Sequence, residues 1–117
     1  MHEITKRLRQ ARESVTTVGK FRFTIRRPTV IEAARITGNG AEIYEWVRQF
    51  VVGWARADGT PVQGVDIGGD TTDPVPFNAE LWDEWLADNP FCWEPLYQAI
   101  LDVFTKYSAT LEDSTKN

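Results

Sequence analysis

The segment from Ala41 to Trp54 places its large apolar side chains on one side of a helix. At 100° per residue these side chains fall within an arc of roughly 160°, which is typical of a helix that packs one face against a core. They are Ile43, Tyr44, Trp46, Val47, Phe50, Val51 and Trp54. The chain has 117 residues, 42% of them hydrophobic, so it has room for one domain around such a helix.

A period of two residues marks the preceding segment, from Lys20 to Arg27. Alternation of this kind is typical of a half-buried strand. Phe21, Phe23 and Ile25 form its apolar side, and Arg22, Thr24 and Arg26 form its polar side. Pro28 ends the strand, and Thr29 with Glu32 matches the capping box that begins a helix. We expect this helix to reach about Ile36, before the break predicted at Gly38-Asn39-Gly40.

Residues 3–18 predict a thin amphipathic helix that ends at Gly19. Its apolar positions recur every three or four residues, at Ile4, Leu8, Ala11, Val15 and Val18. An isolated helix of this length is marginal in water. It therefore needs a partner surface, either in its own domain or on another chain.

The second half of the chain predicts loop followed by helices. Residues 57–76 are rich in Gly, Pro and Asp, with one short strand expected at Val62 to Ile67 that pairs with residues 21–26. Asn78 is a good N-cap for a helix over residues 79–88. A last helix is expected from about Pro95 to about Ser108.

These elements together predict a mainly α fold with a small β element, of the α+β class. We expect a compact bundle of three to four helices plus a short two-stranded sheet. Residues 1–19 would form a basic amphipathic N-terminal helix or arm, residues 20–108 a single globular domain, and residues 109–117 a flexible C-terminal tail.

Charge is distributed unevenly along the chain. Residues 1–36 hold nine Lys/Arg and three Asp/Glu, whereas the remainder holds four Lys/Arg and fourteen Asp/Glu. Such polarity can bind nucleic acid at the basic end, or let copies of the chain attract one another head to tail. A third interpretation is that the basic arm lies against the acidic half of its own chain.

The residue types that carry catalysis are poorly represented. His2 is the only histidine and lies at a terminus, so most general-base and zinc schemes lack a candidate. Glu80, Asp83 and Glu84 are interpreted as the solvated side of a helix, and the spacing of Asp66, Asp70 and Asp73 is not that of a calcium loop. The single cysteine, Cys92, is interpreted as a buried thiol. We expect no enzyme, cofactor or metal, no secretory signal and no membrane span.

Five aromatic residues cluster in the acidic half: Phe77, Trp82, Trp85, Phe91 and Trp93. Most of these rings should be buried, with Trp82 and Trp93 as the expected exceptions. An exposed Trp ringed by carboxylates would be a binding hot spot. On that interpretation, Trp82→Ala weakens partner binding with little loss of stability. On the basic side, Arg22, Arg26 and Arg27 are candidate contacts to phosphates or carboxylates.

The order of these segments resembles that of the small tail assembly chaperones of long-tailed bacteriophages. The resemblance covers roughly residues 20–108 and begins with the Phe/Ile strand that runs into Arg26-Arg27-Pro28-Thr29. An amphipathic helix finishing in Val52-Gly53-Trp54 follows. A Gly/Pro turn region, Pro76-Phe77-Asn78 at the start of the next helix, and a last helix with aliphatic and aromatic spacing complete it.

The resemblance implies a non-enzymatic assembly factor. Such factors bind the helical tape measure protein, keep it soluble, help recruit major tail tube protein, and are absent from the finished virion. Localisation would be the cytoplasm of the bacterial host. Candidate client contacts are Trp82, Trp85 and Trp93, and candidate contacts to an acidic partner or a neighbouring copy are Arg22, Arg26 and Arg27.

Two other functions stay open on the sequence. The first is a structural tail-completion or head–tail joining protein that is retained in the virion. The second is a nucleic-acid-binding regulator that uses the basic first third, which the acidic net charge of −4 does not favour.

Overall fold

A computed structural model describes residues 3–36 and 42–116, with side chains to residue 112. Within these ranges the chain forms five α-helices and three strands. Their order is α1 (Glu3–Gln10), β1 (Glu13–Val18), β2 (Phe21–Arg26), α2 (Val30–Ile36), α3 (Glu42–Phe50), β3 (Val51–Arg56), α4 (Ala79–Ala87) and α5 (Trp93–Lys116). Short 3₁₀ turns cover Gly64–Ile67 and Pro90–Cys92. The chain is α+β overall, but the predicted bundle of three to four helices with a two-stranded sheet is wrong.

The three strands form one antiparallel sheet in the order β1-β2-β3. β1 and β2 make a hairpin in which Val18 pairs with Phe21 and Gly19 adopts a φ of 59° in the two-residue turn. The helix predicted over residues 3–18 is therefore wrong beyond Gln10. Val15, Thr16, Thr17 and Val18 are all β-branched, and such side chains lose χ1 freedom in a helix but pack well on a pleated surface.

The third strand replaces the predicted last turns of the helix that contains Trp46, and it takes the position beside β2 that was predicted for Val62 to Ile67. β3 begins at Val51, so Val51 to Trp54 pair with β2 instead of completing the α3 helix. A bulge between Thr24 and Ile25 adjusts the register. The predicted pairing of Val62 to Ile67 with residues 21–26 is wrong, because β1 and β3 occupy the two sides of β2.

The core lies between the inner face of the sheet and the helices. Phe21 and Phe23 of β2 contact the Trp85 and Trp82 rings of α4, at centroid distances of 5.3 and 5.6 Å. α3 packs against α5, where Trp46 contacts the ring of Tyr97 at 5.6 Å. The predicted core residues Trp46, Val47 and Phe50 are confirmed as buried; the others in the core include Ile25, Val62, Leu86, Cys92, Leu96 and Ile100.

Two helix starts are confirmed in atomic detail. At α2 the Glu32 N–H donates to Thr29 Oγ1 at 3.2 Å, and the Thr29 N–H donates to Glu32 Oε1 at 2.9 Å, which is the predicted capping box. At α4 the Leu81 N–H donates to Asn78 Oδ1 at 2.8 Å. By contrast, α5 starts two residues earlier than Pro95 and continues to Lys116, through residues predicted as a tail. The predicted break at Gly38-Asn39-Gly40 lies outside the described residues.

Replacing Asn78 with alanine is expected to lower the free energy of unfolding by about 1 kcal/mol, because Ala leaves the Leu81 amide without its side-chain acceptor. Chemical denaturation followed by circular dichroism measures the loss. Asn78→Ser is the matched control, since serine caps about as well as asparagine. If the alanine and serine variants unfold at the same denaturant concentration, the cap contributes no stability to this fold.

Candidate interaction surface

Two of the three candidate client tryptophans are core residues. Trp82 is 1% exposed, and its indole N–H donates to the carbonyl oxygen of Arg48 at 3.2 Å. Trp85 is 8% exposed and stacks on Trp82 at 5.8 Å. The expectation that Trp82 is exposed is wrong, because the start of α4 directs this ring toward the sheet. Both tryptophans support the sheet from inside and present almost no surface to a partner.

Trp93 is half-buried at the start of α5. Its indole N–H donates to the Leu86 carbonyl oxygen at 2.8 Å, and its ring contacts Tyr44 edge to face at 5.1 Å. Trp93 therefore joins α5 to the end of α4 and to α3. Unlike Trp82, it keeps some exposed surface, although its indole N–H is already hydrogen-bonded within the domain.

The three candidate arginines have different environments. Arg26 donates to both carboxylate oxygens of Glu32, at 3.0 and 3.1 Å. The Arg27 guanidinium lies 3.5 Å from the centroid of the Tyr107 ring, a cation–π contact that joins the residue after β2 to α5. Arg22 is exposed and donates to the Ala57 carbonyl oxygen at 2.9 Å. Arg22 is thus the member of this set with most surface available to a partner.

The outer face of the sheet is the side opposite the buried Phe21, Phe23 and Ile25 of β2, and its residues follow from the strand register. Directly paired residues share a face, so Thr17, Arg22 and Ala55 form one row across the sheet. Val15, Thr24 and Gly53 form the next row, with Val15 and the nearby Val52 exposed. Thr24 lies at the centre of this row, with Val15 on one side and Gly53, which has no side chain, on the other.

α1 extends this surface toward the N-terminus. None of its residues is buried, and Ile4 and Leu8, one turn apart, are 62% and 56% exposed. Lys6 and Arg7 lie between them in sequence. The amphipathic character predicted for this segment is present, but only one short helix carries it, and the domain itself does not cover its apolar stripe.

A cavity of about 490 Å³ joins the end of α1 to the outer face of the sheet. Three arginines and two glutamates line it, together with Thr29 and Val52; the charged residues are Arg9, Arg12, Glu13, Arg26 and Glu32. The hydrogen bond from Arg26 is the largest influence on the Glu32 carboxyl, and it lowers the pKa of Glu32 to about 2. Glu32 is therefore ionised at neutral pH and holds Arg26 in place along the cavity wall.

We call α1 and the outer face of the sheet, with this cavity between them, the N-terminal face. Its exposed apolar side chains are Ile4, Leu8, Val15 and Val52, and its basic side chains include Lys6, Arg9, Arg12, Arg22 and Arg26. Sequence reasoning missed the sheet part of this face because it interpreted residues 13–18 as helix. The run of β-branched residues at 15–18 was the signal that identifies a strand there.

The polar side of α4 is acidic. Residues 57–105 contain ten Asp/Glu and no Lys/Arg. α4 buries Trp82, Trp85 and Leu86 against the core, and at 100° per residue Glu80 and Glu84 lie roughly opposite that buried side. Both glutamates are exposed, as predicted for the polar side of this helix.

The described residues contain little that suggests metal or thiol chemistry. They include no group of three or more His, Cys, Asp or Glu placed to hold a metal ion. Asp66 accepts hydrogen bonds from the Gln63 amide and from Arg56, which lower its pKa and give it a structural role. Burial raises the pKa of the Cys92 thiol to about 11, so the predicted buried thiol is confirmed. His2 lies outside the described residues.

Comparisons of the chain with models of known protein families, with curated proteins and with solved structures found no match. Among the helices of the described part, none is long and apolar enough to cross a membrane. The N-terminal face is a surface on which exposed apolar groups and basic groups occur together, and we take it as the candidate site for a protein partner.

Proposed function

We propose that this chain is a non-enzymatic tail assembly chaperone, which binds the tape measure protein of a long-tailed phage or prophage and keeps it soluble until the tail tube assembles. The observation that carries the proposal is the N-terminal face, where α1 exposes its apolar stripe beside a basic, uncovered sheet surface. The order of sequence segments over residues 20–108 supports the same function by resemblance.

The chemistry of the N-terminal face suits a helical client. A long helix with exposed apolar stripes aggregates unless another surface covers those stripes. Burying a Leu or Val side chain contributes about 1.5–3 kcal/mol, so a few contacts to Leu8, Val15 and Val52 give moderate, reversible affinity. Arg12 and Arg22 at the margins of this face would favour client segments with acidic flanks, with a contribution that salt weakens.

The tryptophans and the arginines have different parts in this function. Trp82 and Trp85 act from inside, by fixing the sheet whose outer face meets the client. Arg22 is the exposed arginine of the outer face. Arg26 instead donates hydrogen bonds to Glu32, and Arg27 packs on the Tyr107 ring. A client contact by Arg26 or Arg27 would have to form beside these internal contacts.

Co-expression with the tape measure protein of the same genome tests the proposal. We expect the tape measure protein to become more soluble and to co-purify with this chain. If the tape measure protein is soluble alone, or does not bind this chain, the chaperone function is wrong. A tail-completion or head–tail joining role would then be examined by mass spectrometry of purified particles, in which a chaperone is absent.

Leu8→Ala is expected to weaken client binding by about 5- to 30-fold, because it removes apolar contact area worth about 1–2 kcal/mol. The free energy of unfolding should change by less than about 0.5 kcal/mol, since Leu8 is 56% exposed and alanine favours the helix. A pull-down titration against the client and thermal unfolding give the two numbers.

The matched control is Val65→Ala, which shortens an exposed apolar side chain in the Gly64–Ile67 turn, away from the residues of the N-terminal face. It should leave client affinity unchanged. Equal affinity for the wild-type chain and the Leu8 variant would remove α1 from the client-binding surface.

A further inference from the structure

β3 lies at one edge of the sheet, so only one side of its backbone pairs with β2. The N–H of Ala57, just after β3, donates to the Lys20 carbonyl oxygen at 2.9 Å. Successive residues of an antiparallel strand turn their backbone groups to alternate sides, so Ala55 also turns its N–H and C=O toward β2. The N–H and C=O of Trp54 therefore point away from the sheet.

The chain that follows β3 returns along this same edge. The Arg56 N–H, on the same side of the strand as that of Trp54, donates to the Thr60 carbonyl oxygen at 2.8 Å. The next residue, Pro61, has no N–H to donate, and the pairing does not continue to Trp54. Within residues 3–36 and 42–116, the backbone N–H and C=O of Trp54 thus have no hydrogen-bond partner.

A cavity of about 410 Å³ lies against this edge. Both Trp54 and Ala55 line it. Consecutive residues of a strand point to opposite faces, so a cavity that touches both of them lies at the edge of β3 and not on either face of the sheet. The other walls of the cavity are largely apolar, and they include Pro61, Pro74, Pro76 and Phe77.

A carboxylate stands beside the cavity. Asp73 directly precedes Pro74 of the cavity wall, and its side chain is exposed. Among the ion pairs of the described residues, none involves Asp73. The neighbouring cation, Arg22, is the partner of Ala55 in the sheet, and its guanidinium donates to the Ala57 carbonyl oxygen. Asp73 is therefore available to a basic residue of a partner.

We propose that the edge of β3 binds an extended segment of a partner protein by strand addition, with one apolar side chain of that segment in the cavity and a basic residue beside Asp73. In an antiparallel pair, the segment residue opposite Trp54 accepts from the Trp54 N–H and donates to its carbonyl oxygen. The side chain of that residue lies on the same face as the Trp54 ring, which contacts Phe77 at 5.4 Å. The site adjoins the outer face of the sheet at Ala55, and it does not depend on the proposed chaperone function.

The chemistry of the site selects this kind of occupant. An uncovered strand edge offers main-chain donors and acceptors to another extended chain. A small apolar molecule could fill the cavity but would leave the Trp54 N–H and C=O without partners, which is costly wherever water is excluded. An extended peptide satisfies both groups and buries an apolar side chain at the same time.

Amide hydrogen exchange of the full chain, followed by NMR, tests the edge directly. In the free chain the Trp54 amide should exchange faster than the Ala55 amide, which is paired with β2. A blocked peptide of sequence Lys-Val-Thr-Val-Thr-Val-Lys, at about 2 mM, should slow exchange at Trp54 by about tenfold or more. A Trp54 amide that is already protected in the free chain, or that the peptide does not slow, would overturn the proposal.

Modified peptides separate strand addition from simple apolar contact without changing the protein. N-methylation of the three Val residues removes the amides that face Trp54 and should weaken binding by about fivefold or more. N-methylation of the two Thr residues removes amides that face solvent and should have a smaller effect. Replacing the three Val residues with Ser keeps every amide but should also weaken binding, because it removes the apolar side chain from the cavity. Equal affinities for the two N-methylated peptides would overturn strand addition.

Asp73→Asn tests the basic residue of the partner. The variant should bind the same peptide about two- to fivefold more weakly, and the remaining affinity should depend less on salt. The matched control is Asp102→Asn, the same exchange at an exposed aspartate of α5 that does not line the cavity, and it should bind like the wild-type chain. Equal affinity for the wild-type chain and the Asp73 variant would remove Asp73 from the site. Because no client is present, failure of these experiments would leave the co-expression test of the chaperone function unaffected.

Discussion

Replacing Trp82 with alanine is expected to destabilise the domain by about 3–5 kcal/mol. The ring is 1% exposed and contacts Phe23, Phe77 and Trp85 at centroid distances of 5.6 to 5.8 Å. Alanine would leave a large cavity and would also remove the donor to the Arg48 carbonyl oxygen. Since domains of this size are stable by about 5–15 kcal/mol, denaturant unfolding should show the loss clearly.

The matched comparison is Trp93→Ala, whose ring is half-buried and contacts the Tyr44 ring of α3. It should cost less than the Trp82 exchange. Trp82→Phe should be intermediate, because it retains an aromatic ring but loses the indole donor. A Trp82→Ala variant that unfolds like the wild-type chain would mean that the ring is not in the core. That result would support the prediction from the sequence that Trp82 is an exposed binding residue.

Replacing Glu32 with glutamine is expected to lower the free energy of unfolding by about 1–2 kcal/mol at pH 7. The Glu32 pKa falls from 4.5 to about 2 in the folded chain, chiefly because Arg26 donates to its carboxylate. That shift corresponds to an upper bound of about 3 kcal/mol. We expect less, because the two side chains are 22% and 29% exposed and water screens the pair.

The pH dependence has a definite sign. A depressed folded-state pKa stabilises the domain above the unfolded-state value of 4.5, and this contribution is lost as the pH falls toward about 2. The wild-type chain should therefore lose its advantage over Glu32→Gln between about pH 4.5 and 2. Urea unfolding across this range measures it, and an advantage that persists unchanged at pH 2 would contradict the assigned pair.

Glutamine isolates the charge in this experiment, because it can still accept from the Thr29 amide and preserve the capping box. Glu3→Gln is the control for an ion pair of the same kind in water. Its partner is Arg7, and both side chains are about three-quarters exposed, at 74% and 75%. The loss there should be within a few tenths of a kcal/mol, as for most surface pairs.

Local hydrogen-bond chemistry made several elements predictable from the sequence. Both helix caps join residues that are three positions apart, namely Thr29 with Glu32 and Asn78 with Leu81. A segment of four residues therefore contains the donor and the acceptor of each hydrogen bond. The alternation of Phe21, Phe23 and Ile25 likewise records which side of β2 is buried. In each case the deciding contact, or the burial pattern, is visible over a few neighbouring residues.

The missed elements depend on partners that are distant or ambiguous in the sequence. Ile4, Leu8, Val15 and Val18 satisfy a helical spacing, yet the last two belong to a strand because β2 pairs with them. Val51 to Trp54 also continue the helical period of α3, but they pair with β2 some thirty residues away. Periodicity cannot distinguish these outcomes, whereas β-branching at both sites favours strand.

The candidate site was predictable in part. The apolar stripe of α1 and the basic side of β2 were visible in the sequence, and Arg22 occupies the exposed position expected of it. The burial of Trp82 was not, because the four large apolar residues of α4 share one face and the sequence does not show which of them lies at its centre. The sheet opposite α4 decides which side is buried, and no pattern within residues 79–87 contains that information.

The order of elements along the chain has a consequence during synthesis. All three strands lie within the first 56 residues, so the sheet can form before α4 and most of α5 have been made. At about 5–20 residues per second, the ribosome needs roughly 2–9 s to proceed from Arg56 to Ile100. During that interval Phe21 and Phe23 lack the helices that cover them. The nascent chain therefore exposes apolar side chains and is prone to aggregation until α4 has been made.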